Sequence, residues 1–249
     1  MTLVLAAWPV QAHDSLCLLA EYATRIPPGQ PERVHNLRLA AQALNGYCLL
    51  PRAELSFNQV VGPRLEKAGY RPAPVLTPAG WERDWGGGVC QVATTLYNAA
   101  LLAGLAVRER HPHSLRVDYA DPGLDAAVVF GYKDLRVFNP SPHALHLRVE
   151  LRGEYLRISV WGPWQAKHRV QVKVEVWQTC PPPEECRRDP SLAPGQRLVL
   201  QPGEKGVWVR VRRRLEWDRG SCREEIISED YYPPKPRVIL TGAPPLWPP

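Results

Sequence analysis

Residues 86–105 read GGGVCQVATTLYNAALLAGL. Val92, Leu96, Ala99 and Ala103 recur there at the spacing of one helical face, and Leu101 and Leu102 make the far end apolar all round. That pattern predicts a central, largely buried helix from Gln91 to Ala103, stopped by Gly104. Its beginning carries the chemistry. Three glycines run straight into Cys90. A cysteine at a helix amino end lies beside unpaired N–H groups and the positive end of the dipole, and both favour the reactive thiolate. Gly86, Gly87 and Gly88 leave backbone amides unobstructed by side chains, so they and Gln91 are candidates for holding a substrate carbonyl or a developing oxyanion.

Upstream, PERVHNLRLAAQALNG (31–46) predicts a second helix, with Pro31 at its start, Val34, Leu37, Ala41 and Leu44 on one face, and Gly46 as its stop. Residues 51–88 carry Pro51, Pro63, Pro72, Pro74 and Pro78 before the glycines, and are expected to form a long irregular loop, a binding surface or lid. Downstream, residues 115–119, 126–132 and 135–138 are short candidate strands. Leu145, Leu147, Val149 and Leu151 alternate with polar residues, as do Leu156, Ile158 and Val160 after Arg152-Gly153, which predicts a hairpin.

Helices feeding antiparallel strands give an α+β class: a cysteine opening a buried central helix packed on an antiparallel sheet, then a small all-β module. Trp161-Gly162-Pro163 is the expected boundary between a catalytic domain (31–163) and a β-rich module (164–242). In the latter, Val170, Val172, Val174 and Val176, then Leu198 and Leu200, then Val207, Val209 and Val211 alternate. This module is expected to be dispensable for chemistry. Residues 1–30 read as an apolar amino terminus and leader, and 243–249 as a Pro-rich tail.

With 249 residues, 45% of them hydrophobic and 22% charged, the chain suits one large domain or a domain plus a smaller module, and excludes disorder. No apolar run approaches the roughly 20 residues needed to span a bilayer as a helix, so no integral membrane segment is expected. Lys and Arg number 31 against 25 Asp and Glu, a net charge of +6 spread along the chain. The one dense run, Arg210, Arg212, Arg213 and Arg214, reads as a solvated strand edge. No nucleic-acid motif accompanies it, and nucleic acid is not an expected partner. The first residues, MTLVLAAWPVQAHDS, end their apolar stretch at Val10-Gln11-Ala12, like a secretory signal cleaved after Ala12, although without a basic start. An extracytoplasmic location is expected. Six cysteines form no CxxC pair and no zinc-ligand spacing, so no metal site is expected. In an exported chain they allow disulfides, for instance between Cys180 or Cys186 and Cys222.

Downstream of Cys90 lie His111 and His113 in RHPHS, then Asp125 in PGLDA. A cysteine opening a buried helix, followed by a histidine and an acid on later segments, is an order seen in thiol acyl-transfer enzymes. Each feature alone has a plainer reading: a small buried residue, a glycine hinge, two surface turns. Their order and placement raise the catalytic reading beside those.

Five blocks extend the pattern: LSFNQVVGPR (55–64), GYRPAPV (69–75), GGGVCQVATTLYNAALLAGL (86–105), ERHPHS (109–114) and GLDAAVVFGYKDLRVFN (123–139). Together they resemble the VanW family over about residues 31–162. PGEKGVWVRVRRRL through SEDYYPP is weakly similar to a G5 module, a common neighbour of VanW domains in cell-wall proteins. VanW members include peptidoglycan L,D-transpeptidases. The resemblance therefore implies Cys90 as nucleophile, His113 as base with His111 as the alternative, Asp125 as the residue orienting the base, and peptidoglycan stem peptides as partner. It calls for no metal or organic cofactor. One departure is Ala93, where the family often has serine. Two other functions fit the same residues: a cysteine peptidase or amidase using water as acceptor, and a non-catalytic wall-binding module with an inert Cys90.

Overall fold

Period-two alternation in the predicted hairpin sends Leu145, Leu147 and Val149, and then Leu156, Ile158 and Val160, to one face, and all six are buried. In the computed structural model, residues 16–77, 80–217 and 220–242 are described. The first part of the chain runs β1 (Cys17–Arg25), α1 (Pro31–Leu44), β2 (Cys48–Leu49), β3 (Glu54–Ser56), α2 (Phe57–Val61), β4 (Pro72–Thr77), β5 (Gly80–Trp85), α3 (Val89–Leu102), β6 (Ala106–Glu109), β7 (Arg136–Phe138), β8 (Leu145–Arg152) and β9 (Tyr155–Gly162). The second runs β10 (Arg169–Cys180), β11 (Glu184–Arg188), β12 (Arg197–Gln201), β13 (Gly206–Glu216), β14 (Cys222–Tyr232) and β15 (Arg237–Thr241). This is a mixed α/β fold, with few helices, several antiparallel sheets and an all-β carboxyl-terminal part.

The main sheet has the order β1-β9-β8-β2. α3 lies across β1 and β9, and α1 against β8 and α3. Leu37, Ala40, Ala41 and Leu44 of α1 meet Val92, Leu96, Ala99 and Ala100 of α3 in one core. Polar staples fix α3 onto the sheet. The Thr24 and Thr95 hydroxyls lie 2.8 Å apart, and the Gln91 amide donates to Thr24 Oγ1 at 3.0 Å and Arg25 O at 2.8 Å. A second sheet has the order β3-β7-β6.

Several expectations are corrected. Residues 17–25, read as leader, form β1, paired antiparallel with β9. The supposed cleavage site after Ala12 and the Pro-rich tail lie outside the described residues. The 51–88 stretch is not one loop: it holds β3, α2 and the β4–β5 hairpin. Pro72 and Pro74 argued against strand, but in a two-stranded hairpin each strand has one unpaired side, where a missing N–H costs nothing. Conversely, residues 115–119 form no strand, and 126–132 contribute only the isolated bridge Val129–Lys133. That segment is held through α3 instead, with Ala126 N–H on Thr94 Oγ1 at 2.9 Å and Asn98 donating to Leu124 O at 2.6 Å.

In the carboxyl-terminal part, β10-β13-β14 form one sheet and β11-β15-β12 another, with β11 and β15 parallel. Cys180, Cys186 and Cys222 are free thiols there, so no bridge spans this region. No helix among the described residues is long and apolar enough to cross a membrane.

Candidate active site

α3 begins at Val89, placing Cys90 in its first turn, with Gly88 as the N-cap at φ +107°. The three glycines are explained by close packing. A Cβ on Gly86 would lie 2.6 Å from Arg64 Cβ, one on Gly87 2.5 Å from Ala73 O, and one on Gly88 2.8 Å from Arg33 Cγ. Gly86, Gly87, Val89 and Gln91 donate their N–H groups within this turn, to Arg71 O, Asp84 O, Gly86 O and Gly88 O at 2.8–3.4 Å. Among the described residues, the N–H groups of Gly88 and Cys90 have no acceptor. Of the residues singled out for an oxyanion, Gly88 therefore keeps a free amide, and Cys90 joins it. Gln91 is fully buried, and its side chain is committed to Thr24, Arg25 and Arg33.

The half-buried Cys90 Sγ accepts the Val128 N–H at 3.5 Å and donates to Val128 O at 3.6 Å, and it lines the same cleft as His113. Burial opposes ionisation of this thiol. The His113 hydrogen bond and charge, the Val128 contact and Arg64 outweigh it and set the pKa below the ordinary thiol value. His113 is buried, and its Nδ1 lies 2.6 Å from Asp125 Oδ2, which also accepts the His113 backbone N–H at 2.7 Å. Burial again opposes the charge, but Asp125 and Cys90 raise the imidazole to about 9. Cys90, His113 and Asp125 thus form one line in which each group is shifted toward its charged form.

The line does not end at Asp125. Arg110 reaches Asp125 Oδ1 at 2.8 Å and Asp125 O at 2.6 Å, and its other nitrogen pairs with Asp230 at 2.5 Å. Tyr232 also donates its hydroxyl proton to Asp125 Oδ1, and accepts the Gly123 N–H at 2.8 Å. Burial works against the Asp125 charge, but His113, Arg110 and Tyr232 hold the carboxylate below its usual range. His111 takes no part in this chain. Its side chain sits beside Glu109, Nε2 to Oε1 3.0 Å, and its carbonyl accepts the Ala127 N–H at 2.8 Å.

Cys90 and His113 open on a cleft of about 670 Å³, with Arg33, Arg64, Tyr119 and Phe130 among its walls. Arg110, Arg33, Arg64, Asp230 and Tyr232 were not singled out from sequence as site residues. Arg110 directly precedes the RHPHS histidines, and Arg64 closes the LSFNQVVGPR block, so both lay within quoted motifs. Nothing in local spacing could bring Tyr232 onto Asp125.

Comparison with known proteins gives a match to the family described as "VanW like protein" over residues 32–161 and to the G5 domain over 171–243. An uncharacterized protein of Bacillus subtilis, YoaR, is 36% identical over 151 residues, covering 61% of this chain and 50% of that one. The vancomycin B-type resistance protein VanW of Enterococcus faecalis is 28% identical over 131 residues, covering 50% of this chain and 47% of its own length. The chain thus spans about half the length of these curated relatives. Among solved structures, HP0197-G5 is 26% identical, with 30% of this chain and 99% of that one covered and a TM-score of 0.19. The IgA1 protease G5 domain is also 26% identical, with 31% and 94% covered and a TM-score of 0.22.

Proposed function

The chain belongs to the VanW family, and on that premise we propose that it is an extracytoplasmic cysteine-dependent acyltransferase, an L,D-transpeptidase acting on peptidoglycan stem peptides. What carries this reading is the line from Cys90 through His113 to Asp125, with His113 Nδ1 held 2.6 Å from the carboxylate so that the other ring nitrogen serves the sulfur. The Cys90 thiolate attacks the carbonyl of the third residue of a stem tetrapeptide. The N–H groups of Gly88 and Cys90, free of other acceptors among the described residues, donate to the oxyanion that forms. His113 then gives its proton to the departing amine, the C–N bond breaks, and terminal D-Ala leaves behind a thioester. A side-chain amine of a neighbouring stem attacks that thioester and loses a proton to His113. The thiolate departs, and a 3–3 cross-link remains.

Asp125 holds the imidazole in place and favours its charged form throughout, while Arg110 and Tyr232 keep Asp125 ionised. The G5 match over 171–243 supports placing the enzyme at the wall. Intact mass after incubation with a stem tetrapeptide tests the proposal. A Cys90-linked acyl adduct is expected in the wild-type chain and none in Cys90→Ala. Turnover retained by a folded Cys90→Ala chain overturns the mechanism, and free tripeptide as sole product would replace transfer by hydrolysis.

A further inference from the structure

Two guanidinium groups in the Cys90 cleft have only neutral hydrogen-bond and ring partners. Arg33 is 4% exposed; it donates to Gln91 Oε1 at 2.9 Å, lies over the Tyr119 ring, and its Nε is buried with no acceptor among the described residues. Arg64 donates to Asn58 Oδ1 at 2.6 Å, lies over the Phe57 ring, and its Nη2 is likewise buried without an acceptor. Their stems grip the glycine turn at opposite ends, Arg33 against Gly88 and Arg64 against Gly86, and both side chains line the cleft. Among the described residues neither forms an ion pair, whereas the charges behind the sulfur are matched: thiolate by His113, and Asp125 and Asp230 by Arg110. Besides the Cys90 sulfur, the cleft lining offers Arg33 and Arg64 only Asp84, an exposed rim residue whose carboxylate accepts the Trp85 N–H at 2.7 Å, while Asp118 and Asp134 act on them from outside that lining without an ion pair.

Burying a guanidinium is costly without an anion, and its planar fork fits a carboxylate. The remaining wall includes Leu76, Val117 and Val128, so an anionic end is to be carried on an otherwise modestly apolar body. We infer that Arg33 and Arg64 form a carboxylate subsite, and that its ligand is the C-terminal carboxylate of the residue expelled when Cys90 is acylated. The identity of that peptide rests on the acyltransfer reading above; the subsite itself does not. It makes the enzyme exo-acting, taking donors that end one residue beyond the attacked carbonyl.

Calorimetric titration of the full-length Cys90→Ala chain tests this, using a stem tetrapeptide with a free C-terminal carboxylate and the same peptide as its C-terminal amide. The acid is expected to bind at least about tenfold more tightly than the amide. Arg64→Gln in the same background is expected to bring the two within about twofold, as one charge-assisted pair is lost. Arg64→Lys should restore part of the preference. Arg33 touches the buried Gln91, so Arg33→Gln is a second test only if circular dichroism shows it folded; Arg64→Gln decides alone otherwise. Equal binding of acid and amide, binding of neither, or a preference that survives Arg64→Gln overturns the subsite. Displacement of the acid by an equal concentration of acetate overturns the peptide assignment and leaves a general anion site. Because the Cys90 thiol is absent from this variant, a surviving acid preference without acyl transfer in the wild type would overturn the proposed activity alone.

Discussion

The two parts of the chain are held together by different physics. Residues 16–162 enclose a large apolar core, with α3 buried along nearly its whole length. Residues 169–242 have a separate buried cluster of only Val207, Val209 and Tyr232, with Val174 packed beside it, and every residue of β11 and β12 is exposed. Their strands are laced by cross-strand pairs such as Arg210–Glu229 and Arg212–Glu175. Exposed pairs contribute about 0–1 kcal/mol each, so they cannot replace a core. Part of what the second part buries, it buries against the first. Val211 packs where a Cβ on Gly123 would be 2.7 Å away, and Arg213 donates to Leu101 O at 3.1 Å and Leu105 O at 2.7 Å at the carboxyl end of α3. Tyr232 and Asp230 complete the charges around Asp125 and Arg110. The change in sequence pattern near residue 163 therefore marks a change in architecture, while the polar network of the site crosses it.

Cutting at that boundary is the severest way to break the comparison. A chain ending at Trp164 loses Arg213, Asp230 and Tyr232, leaving Arg110 and Asp125 short of two buried partners. Removing one partner of a buried charge costs about 3–5 kcal/mol, a large part of a typical stability of about 5–15 kcal/mol. Loss of a cooperative thermal transition and of acyl transfer on soluble peptide is the expected result. A folded, fully active fragment would instead restore the two-module division read from sequence.

Within the first part, the two histidines separate next. His113→Ala should lower the acylation rate by about 10²-fold or more, while His111→Ala, which loses only a half-exposed contact to Glu109, should change it less than about threefold. The pH profile of iodoacetamide labelling at Cys90 gives the direction independently. In the wild type, labelling rises at a pH below the ordinary thiol range, because the His113 bond and charge outweigh burial. The imidazolium partner persists up to about pH 9. Without His113, burial is opposed only by the Val128 contact and Arg64, and the rise must move to higher pH. An unmoved profile would mean that the helix terminus alone holds the thiolate.

Much of this was legible because local pattern and burial agree: the predicted hairpin is β8–β9, and α1 and α3 follow their apolar faces. Where side chains rather than ladders hold the backbone, pattern failed. Residues 115–119 and 126–132 have strand-like composition, yet Thr94 and Asn98 of α3 bind the second segment's neighbourhood as irregular chain. β1 was hidden by an apolar start that reads as a leader. The Arg run held an unread signal. Val207, Val209, Val211, Arg213 and Leu215 share one strand face, so Arg213 occupies a core position and is 4% exposed, not part of a solvated edge. Its partners, carbonyls more than a hundred residues upstream, are not encoded in any local spacing. Cys90, His113 and Asp125 were singled out as candidates before any geometry, whereas Arg110 and Tyr232 needed the fold.

A smaller change asks how far the second part tunes the first. Tyr232→Phe keeps the ring in its cluster and removes one donor from a buried carboxylate, a loss of about 1.5–3 kcal/mol for a hydrogen bond to a charged group. Asp125 should become a weaker acid that stays ionised near neutral pH, and with its charge less shared it holds the His113 proton at least as firmly. Acylation is expected to fall by about tenfold as the imidazole is held less firmly in place, with the alkaline limb of the acylation profile, where the imidazolium is lost, moving to higher pH. A purely structural role would lower the melting temperature and leave that limb in place.

The mildest test stays on the surface of β13. Arg210 and Arg213 lie three residues apart, and each pairs with a glutamate of β14. The Arg210 and Glu229 side chains are 33% and 51% exposed, so water and salt screen the pair and both long side chains lose rotamer freedom to form it. Arg213 has no such compensation: it is buried, and its loss takes a donor from Leu105 O and from the Glu225 carboxylate and leaves Leu101 O, among the described residues, with the Gly104 N–H alone. Arg210→Ala should therefore change unfolding free energy by less than about 1 kcal/mol and leave acyl transfer untouched. Arg213→Ala should cost several times more, about 3 kcal/mol. Denaturant melts of the two variants, at low and at high salt, decide the matter. Equal losses would mean that the second part is stabilised by its charged lacing after all, and that its docking onto α3 is incidental.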